Sequence, residues 1–165
     1  PPFDASSENR EILRFDSSDE LTLCEVLLNP TKIYVHPMIS LFQQCREEYT
    51  PCKYQDIKGI AHITGGGLSN LLRLHPNLGY HIDTPLPSLP EFDWLQEIGG
   101  VSDYEMARTF NLGMGLCVVV SKESANSILS WLEESGVQGC AIVGYVNDEG
   151  HRVTHINPDI CFEHY

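Results

Sequence analysis

Hydrophobic residues occur along the chain in blocks. In some blocks their spacing is typical of β-strands, and in others it is typical of helices. Two blocks are short runs rich in β-branched and aliphatic residues, IKGIAHIT (57–64) and LCVVV (116–120), and each predicts a buried strand. Apolar residues repeat every three or four positions in MISLFQQCREEY (38–49) and KESANSILSWLEESG (122–136), which predicts two amphipathic helices. Strands that alternate with helices predict a layered domain of the α/β or α+β class.

Capping residues locate the ends of several helices. Pro37 is predicted to occupy the first position of one helix, and Pro90 to open another that closes at Gly99 or Gly100. Ser102, followed three residues later by a glutamate, has the pattern of a capping box and predicts a short helix that begins there. One or two helical turns are expected over residues 68–76.

The C-terminal region has the pattern of a hairpin. CAIVGYV (140–146) predicts a strand, and a turn at residues 147–150 leads back into HRVTHI (151–156). We therefore expect these two strands to pair with each other. The last nine residues, NPDICFEHY (157–165), are interpreted as a tail.

Length and charge restrict the classes of partner. The 165 residues are sufficient for one domain with a real core, which we place at residues 21–165 after an acidic lead segment over residues 1–20. Ten basic against twenty-three acidic residues give a net charge of −13, which disfavours nucleic acid and anionic lipid as partners. No apolar run approaches the roughly 18 residues of a membrane span. An anionic ligand must then be held locally, by backbone N–H groups or single cations.

The cysteines and histidines do not indicate a metal site. Six cysteines occur without a C-x-x-C spacing, which is typical of free thiols in a cytoplasmic protein. His151 and His155 are four residues apart, but a strand would separate their rings by about 13 Å, too far to share a metal ion.

Two glycine-rich turns are the candidate sites for an anion. Three glycines at 65–67 follow a predicted strand and precede a predicted helix, a geometry that suits either a tight turn or a phosphate cradle, although the Walker spacing is absent. His62 precedes them, on the strand face opposite Ala61 and Ile63. The second turn is NLGMG (111–115), with Arg108 one helical turn before it. Arg108 could bind a phosphate or carboxylate, or be an ordinary surface arginine.

Four segments occur in the order and at close to the spacing of a known family: LLNPTKIYV (27–35), IAHITGGGLSNLLR (60–73), FDWLQEIGGV (92–101) and EMARTFNLGMG (105–115). Over about residues 20–146, the sequence resembles the C-terminal domain of AIR synthetase, also called phosphoribosylformylglycinamidine cyclo-ligase. The resemblance implies a three-layer α/β/α domain with a mixed sheet.

The resemblance also implies an activity. Members of the family are ATP-dependent ligases of de novo purine biosynthesis that convert formylglycinamidine ribonucleotide into aminoimidazole ribonucleotide, with ADP and phosphate as the other products. ATP and Mg²⁺ would be bound mainly by an N-terminal domain, which we expect to be absent from this chain, and the complete enzyme would be a homodimer. We therefore expect the chain alone to be inactive, and to associate with another protein through apolar surface and a sheet edge left exposed.

Carried onto this chain, the family's histidine falls at His62, the expected catalytic residue. The residues expected to bind phosphate or to line the substrate cleft are Thr64, Gly65, Gly66, Gly67, Arg108, Asn111, Gly113 and Gly115. No residue is assigned to a metal.

Two alternatives stay open. The chain could be a truncated homologue without catalysis that acts as a binding or oligomerisation module. It could also belong to a related ATP-dependent enzyme, such as selenophosphate synthetase or thiamine monophosphate kinase. The segments IYV and EMARTFNLGMG favour the cyclo-ligase, and the retained His62 and glycines argue against a decayed module.

Overall fold

The fold is that of a computed structural model, which describes residues 13–14, 20–21, 26–28, 30–48 and 50–165. The lead segment predicted at residues 1–20 lies mostly outside these ranges, and the boundary at residue 20 stays a prediction. The elements in chain order are β1 (Leu13–Arg14), β2 (Glu20–Leu21), α1 (Val35–Glu47), β3 (Ile57–His62), β4 (Gly79–Ile82), α2 (Pro90–Gly99), α3 (Asp103–Thr109), β5 (Leu116–Val120), α4 (Ala125–Glu134), β6 (Gly144–Asn147), β7 (Val153–His155) and β8 (Cys161–Phe162), with 3-10 helices at Tyr54–Asp56, Gly67–Arg73 and Lys122–Ser124.

The two runs rich in β-branched and aliphatic residues pair with each other as the antiparallel strands β3 and β5, in a register that places His62 opposite Leu116. Both strand predictions are confirmed. Helices α1 and α4 pack on one face of the pair, where Leu41 and Ile128 are buried. Alternate residues of β5 contribute to this face and to the opposite one, as the two-residue period of a strand requires.

A second core lies on the opposite face of this pair. It contains Ile63 and Leu68, from either side of the glycines, together with buried residues of the remaining strands. Ile63 is 1 % exposed and Leu68 is fully buried. The turn between β3 and the 3-10 helix Gly67–Arg73 is therefore held at both ends by core side chains.

The other strands form a four-stranded mixed sheet in the order β6-β4-β7-β8. Strand β4 is antiparallel to β6 and parallel to β7, so it lies between the two strands that we expected to pair. The predicted C-terminal hairpin is wrong. Its two strands are separated because β4 carries buried Tyr80 and Ile82 and takes the central place.

The predicted tail is also wrong, because it contains strand β8. This strand pairs antiparallel with β7 and places Phe162 opposite Val153. Ile160 and Phe162 are 4 % and 1 % exposed, respectively, and both belong to the second core. Alternating apolar residues thus bring the end of the chain into the sheet.

Most of the predicted caps are found. The hydroxyl of Ser102 accepts a hydrogen bond from the backbone N–H of Glu105 at 3.3 Å, and α3 begins at the next residue. Helix α2 begins at Pro90 and ends against Gly100, whose φ is +57°. Helix α1 begins two residues before Pro37, which the first turn tolerates because the first N–H groups of a helix need no partner within it.

Helices together with a mixed sheet make this an α+β fold, which confirms the predicted class. The three-layer arrangement stays a prediction. Within the ranges that the structure describes, no helix is long and apolar enough to cross a membrane.

Candidate functional site

A glycine loop, residues 64–67, follows β3 and turns the chain into the 3-10 helix. Gly66 and Gly67 have φ values of +99° and +54°, a region that favours glycine. A Cβ on Gly67 would overlap the carbonyl oxygen of Ala107 in α3. No described atom lies within 4 Å of the position that a Cβ on Gly65 would take. The loop is therefore closed on one side by α3 and open at Gly65.

Two buried polar side chains hold the carbonyl groups of the glycine loop. Nδ2 of Asn70 donates hydrogen bonds to the carbonyl oxygens of Gly67 at 2.8 Å and Gly65 at 3.2 Å. Oγ of Ser69 donates to the carbonyl oxygen of Gly66 at 2.7 Å. Both side chains are at most 2 % exposed. The backbone of the loop is thus fixed by the protein itself.

The open side of the loop presents backbone N–H groups. The N–H of Gly67 donates to the carbonyl oxygen of Thr64 at 2.9 Å. The N–H groups of Gly65 and Gly66 have no acceptor among the residues that the structure describes. Unpaired N–H groups on a glycine turn are a chemically suitable site for an anion.

The structure brings the glycine loop and the second turn, residues 111–115, together. The N–H of Ile63 donates to the carbonyl oxygen of Gly115 at 3.0 Å, which extends the β3–β5 pairing into both turns. On the other side of the loop, Gly67 packs on the backbone of Ala107 and Arg108. The two motifs that the sequence analysis singled out therefore form one region.

The second turn is built from local hydrogen bonding and glycine conformations. Oδ1 of Asn111 accepts a hydrogen bond from the N–H of Gly113 at 3.0 Å. Leu112 and Gly113 both have positive φ, +48° and +91°. A Cβ on Gly113 would lie 2.7 Å from the carbonyl oxygen of Pro87, so this position also requires glycine. The oxygen of the Asn111 amide is thus occupied, and its NH₂ group is the part that can meet a ligand.

Arg108 is an exposed side chain at the end of α3, and its backbone lies beside Gly67. Its Nη1 donates to the hydroxyl of Tyr104 at 3.3 Å. Within the described ranges, the single ion pair joins Arg152 to Glu149, so the charge of Arg108 is not neutralised by a described carboxylate.

His62 is exposed, whereas Ala61 and Ile63 on either side are buried, which confirms the predicted alternation. The ring of Tyr34 packs edge-on against the His62 ring, with 5.9 Å between the ring centroids. A Cβ on Gly115 would overlap the hydroxyl oxygen of Tyr34. Burial raises the pKa of Tyr34 above its ordinary value. The sequence analysis missed Tyr34, although it lies in the segment 27–35.

Arg73 is a second cation near the glycine loop, and sequence reasoning missed it as well. Its guanidinium lies 4.9 Å from the ring centroid of Tyr165, and its Nη1 donates to Oδ1 of Asn70 at 3.5 Å. Arg73 is exposed, and it too has no carboxylate partner among the described residues. Arg73 is the last residue of the family segment 60–73, and this position was the sequence feature that could have identified it.

A large apolar cleft, with a volume of about 1640 Å³, is lined by some of the candidate residues and not by others. It is lined by β5 and by residues of β4, β6 and α4. Asn111, Gly113 and Gly115 line it, whereas His62, Arg108 and the glycine loop do not. Ile142 and Tyr145, which are about half exposed, contribute apolar surface to the cleft. The predicted association through apolar surface stays a prediction.

The cysteines of the described ranges are thiols. Five cysteines are described and all are free, including Cys45 and Cys52, whose Sγ atoms lie 3.4 Å apart. Burial raises the pKa of Cys52 to about 12. Among the described residues, no three His, Cys, Asp or Glu side chains are grouped so that they could hold a metal ion.

Comparison with known proteins agrees with this geometry. The family profile described as "AIR synthase related protein, C-terminal domain" matches residues 5–157. The chain belongs to this family. Both turns, as well as the strands that carry them, lie within the part of the chain that matches.

Curated relatives of this AIR synthase-related domain carry the name phosphoribosylformylglycinamidine cyclo-ligase. The protein from Methanocaldococcus jannaschii is 37 % identical over 142 residues, which are 84 % of this chain and 38 % of the relative. That from Methanopyrus kandleri is 36 % identical over 147 residues, 87 % of this chain and 39 % of the relative. That from Paraburkholderia phymatum is 44 % identical over 125 residues, 73 % of this chain and 32 % of the relative. The chain thus spans about a third of the length of these relatives.

Proposed function

We propose that this chain is the C-terminal domain of a phosphoribosylformylglycinamidine cyclo-ligase, which uses ATP to convert formylglycinamidine ribonucleotide into aminoimidazole ribonucleotide. The observation that carries the proposal is the glycine loop, whose N–H groups at Gly65 and Gly66 have no acceptor among the described residues and whose Gly67 packs against α3. The family membership and the names of the relatives support the same reaction.

The glycine loop, including Thr64, would hold a phosphate group of the substrate or nucleotide. A net charge of −13 repels such ligands at long range, so attraction has to come from nearby donors. The N–H groups of Gly65 and Gly66 supply dipoles, and Arg73 and Arg108 supply positive charge without a described carboxylate to neutralise it. Oriented N–H groups and unpaired guanidinium groups together make a phosphate site chemically reasonable.

His62 would act as an acid or base, or as an orienting hydrogen-bond donor. Ring closure requires a nitrogen of the substrate to lose a proton, while the amide oxygen leaves as phosphate. An imidazole can exchange protons near neutral pH, and this one is exposed two residues before the loop. The edge contact with Tyr34 fixes the ring plane, so His62 would reach a bound substrate in one orientation.

Asn111, Gly113 and Gly115, which line the apolar cleft, would form the wall of the substrate site. Arg108 would join them from the end of α3, outside that cleft. The turn is rigid because both of its glycines lie against other groups, the carbonyl of Pro87 and the hydroxyl of Tyr34. This leaves the NH₂ group of Asn111 and the guanidinium of Arg108 as the side-chain groups able to meet the ligand.

ATP and Mg²⁺ fit this site only in part. The glycine loop suits a phosphate group, but the described residues contain no cluster of carboxylates for a cation. We place Mg²⁺ with the nucleotide, mainly on the N-terminal half of the enzyme, as the family resemblance implies. We further propose a cytoplasmic homodimer for the complete enzyme, with neither nucleic acid nor membrane as a partner.

The test is ATP-dependent formation of aminoimidazole ribonucleotide by this chain alone, by the N-terminal half of the M. jannaschii relative alone, and by the two mixed. We expect turnover only in the mixture. The His62→Ala variant should reduce turnover in the mixture by at least about 100-fold if it transfers a proton. His75→Ala, at an exposed histidine outside the site, is the matched control and should leave turnover unchanged.

The results distinguish the role of His62 from the cyclo-ligase proposal itself. Unchanged turnover with His62→Ala would remove this residue from the mechanism but leave the cyclo-ligase proposal standing. No turnover in the mixture, although both halves are folded and form a complex, would overturn the proposal. The non-catalytic binding module would then be the better description.

A further inference from the structure

We infer that Asn70 is the positioning residue of the glycine loop, and that its buried amide turns the N–H groups of Gly65 and Gly66 towards an anionic ligand. The inference rests on the proposed phosphate-binding function of the loop. Asn70 itself would not touch the ligand, because it is 2 % exposed and lies beneath the loop.

The amide nitrogen of Asn70 is surrounded by carbonyl oxygens of the loop. It donates to Gly67 at 2.8 Å, to Gly65 at 3.2 Å and to Thr64 at 3.4 Å. All three partners are acceptors only, so the group that faces them must be the NH₂ and not the oxygen. The amide oxygen faces Nη1 of Arg73, which is a donor only, at 3.5 Å. These partners fix the orientation of the amide.

Because of peptide geometry, carbonyl groups that point towards Asn70 leave the adjoining N–H groups pointing away from it. In a trans peptide, the carbonyl oxygen and the N–H of the next residue point in opposite directions within one plane. The carbonyl groups of Thr64 and Gly65 face Asn70, so the N–H groups of Gly65 and Gly66 face away from it. These are the two N–H groups that have no described acceptor. One buried side chain thus sets the direction of both candidate donors.

The same amide connects the loop to a cation. Arg73 bonds to Oδ1 of Asn70 and lies over the Tyr165 ring. Loss of the Asn70 amide would release this guanidinium as well as the loop carbonyls. Anion affinity should therefore depend on Asn70 through the loop and through this guanidinium.

The test measures anion binding to the full chain by NMR, through the backbone amide signals of Gly65 and Gly66 during titration with inorganic sulfate. Sulfate keeps its double charge throughout the pH range used. The Asn70→Asp variant has nearly the same shape but sets a carboxylate against three carbonyl oxygens, and Asn70→Ala removes the donor without adding charge. Asn77→Asp, at an exposed asparagine outside the loop, is the control for the added negative charge.

We expect sulfate to shift both amide signals in the unmodified chain and in Asn77→Asp. Asn70→Ala should weaken the affinity about tenfold, and Asn70→Asp at neutral pH by more than that. The affinity of Asn70→Asp relative to the unmodified chain should recover as the pH falls, because the protonated carboxyl group can donate to Gly67. Removal of the charge alone would raise the affinity only to the level of Asn70→Ala, so recovery beyond that level measures the restored donor.

The outcomes distinguish the inference from the function on which it rests. If sulfate shifts neither amide signal in the unmodified chain, the phosphate-binding proposal and the role of Asn70 both fail. If the unmodified chain binds sulfate and folded Asn70→Ala binds it equally well, only the role of Asn70 fails. If Asn70→Asp does not fold, the sulfate affinity of Asn70→Ala alone tests the role of Asn70.

Discussion

Replacing Gly67 by alanine should separate the glycine loop from α3. The loop meets α3 at this residue, and the backbone there has a φ of +54°. A Cβ would overlap the carbonyl oxygen of Ala107 and lie 2.8 Å from the carbonyl carbons of both Ala107 and Arg108. Since these atoms belong to the backbone of a helix, no side-chain rotation can relieve the overlap.

Two contributions give the size of the effect. The left-handed backbone costs a residue with a Cβ about 1–2 kcal/mol. Ordinary contact begins near 3.4 Å, so the carbonyl carbons would have to move by at least 3.4 − 2.8 = 0.6 Å, and overpacking of this kind costs about 1–3 kcal/mol. The total is about 2–5 kcal/mol, a large part of the roughly 5–15 kcal/mol that stabilises a typical domain.

Urea unfolding, followed by circular dichroism, measures this effect. With a typical slope of about 2 kcal/mol per molar urea, the midpoint of Gly67→Ala should fall by about 1–2.5 M. Gly65→Ala is the matched control, because its Cβ would meet no described atom within 4 Å and its φ is not positive. Equal midpoints for the two variants would refute the packing of the loop against α3.

Three further predictions concern the rest of the fold. Burial lowers the pKa of His155, so as the pH falls the His155 imidazole is protonated in the unfolded chain before it is protonated in the folded one. The free energy of unfolding should therefore decrease below about pH 6.5, and the His155→Gln variant should show a weaker dependence on pH. An unchanged pH dependence in this variant would contradict the lowered pKa. Exposed Cys161 should react with a thiol reagent at least about 100-fold faster than buried Cys45 and Cys52, and similar rates would contradict their burial. Gly144→Ala should lower the thermal unfolding midpoint by several degrees, because its Cβ would overlap a carbonyl oxygen of β4; an unchanged midpoint would argue against the β4–β6 register.

The pattern of neighbouring residues was sufficient to predict the long helices and the two strands that are rich in apolar residues. The runs at 57–64 and 116–120 became β3 and β5 because β-branched and aliphatic residues favour strands and because each face of the pair packs against one of the two cores. The pattern failed for the C-terminal strands, which are two to four residues long. Their order depends on β4, more than 60 residues earlier in the chain, and the spacing of nearby residues contains no information on such a partner.

The candidate site shows the same division between local and distant information. Gly65–67 and the alternation of His62 with its neighbours are local features, and the sequence indicated both. The support from Tyr34 and Asn70 was not foreseen, because an asparagine in a short helix and a tyrosine before another have no distinctive spacing. Tyr34 reaches His62 only when α1 packs on the β3–β5 pair. Asn70 bonds to carbonyl groups three to six residues before it, in a loop conformation that the glycine spacing alone does not specify.

The orientation of His62 follows from the same energetics that form the core. In an antiparallel pair, opposite residues lie on one face, so His62 shares with Leu116 the face that α1 covers, and Tyr34 at the start of α1 reaches its ring. Ile63, which is 1 % exposed, lies on the other face. A slip of one residue in the pairing would bury the imidazole and expose the isoleucine, at a cost of about 1.5–3 kcal/mol for the lost apolar burial alone. The hydrophobic core therefore selects the register that keeps the candidate catalytic side chain open to a ligand.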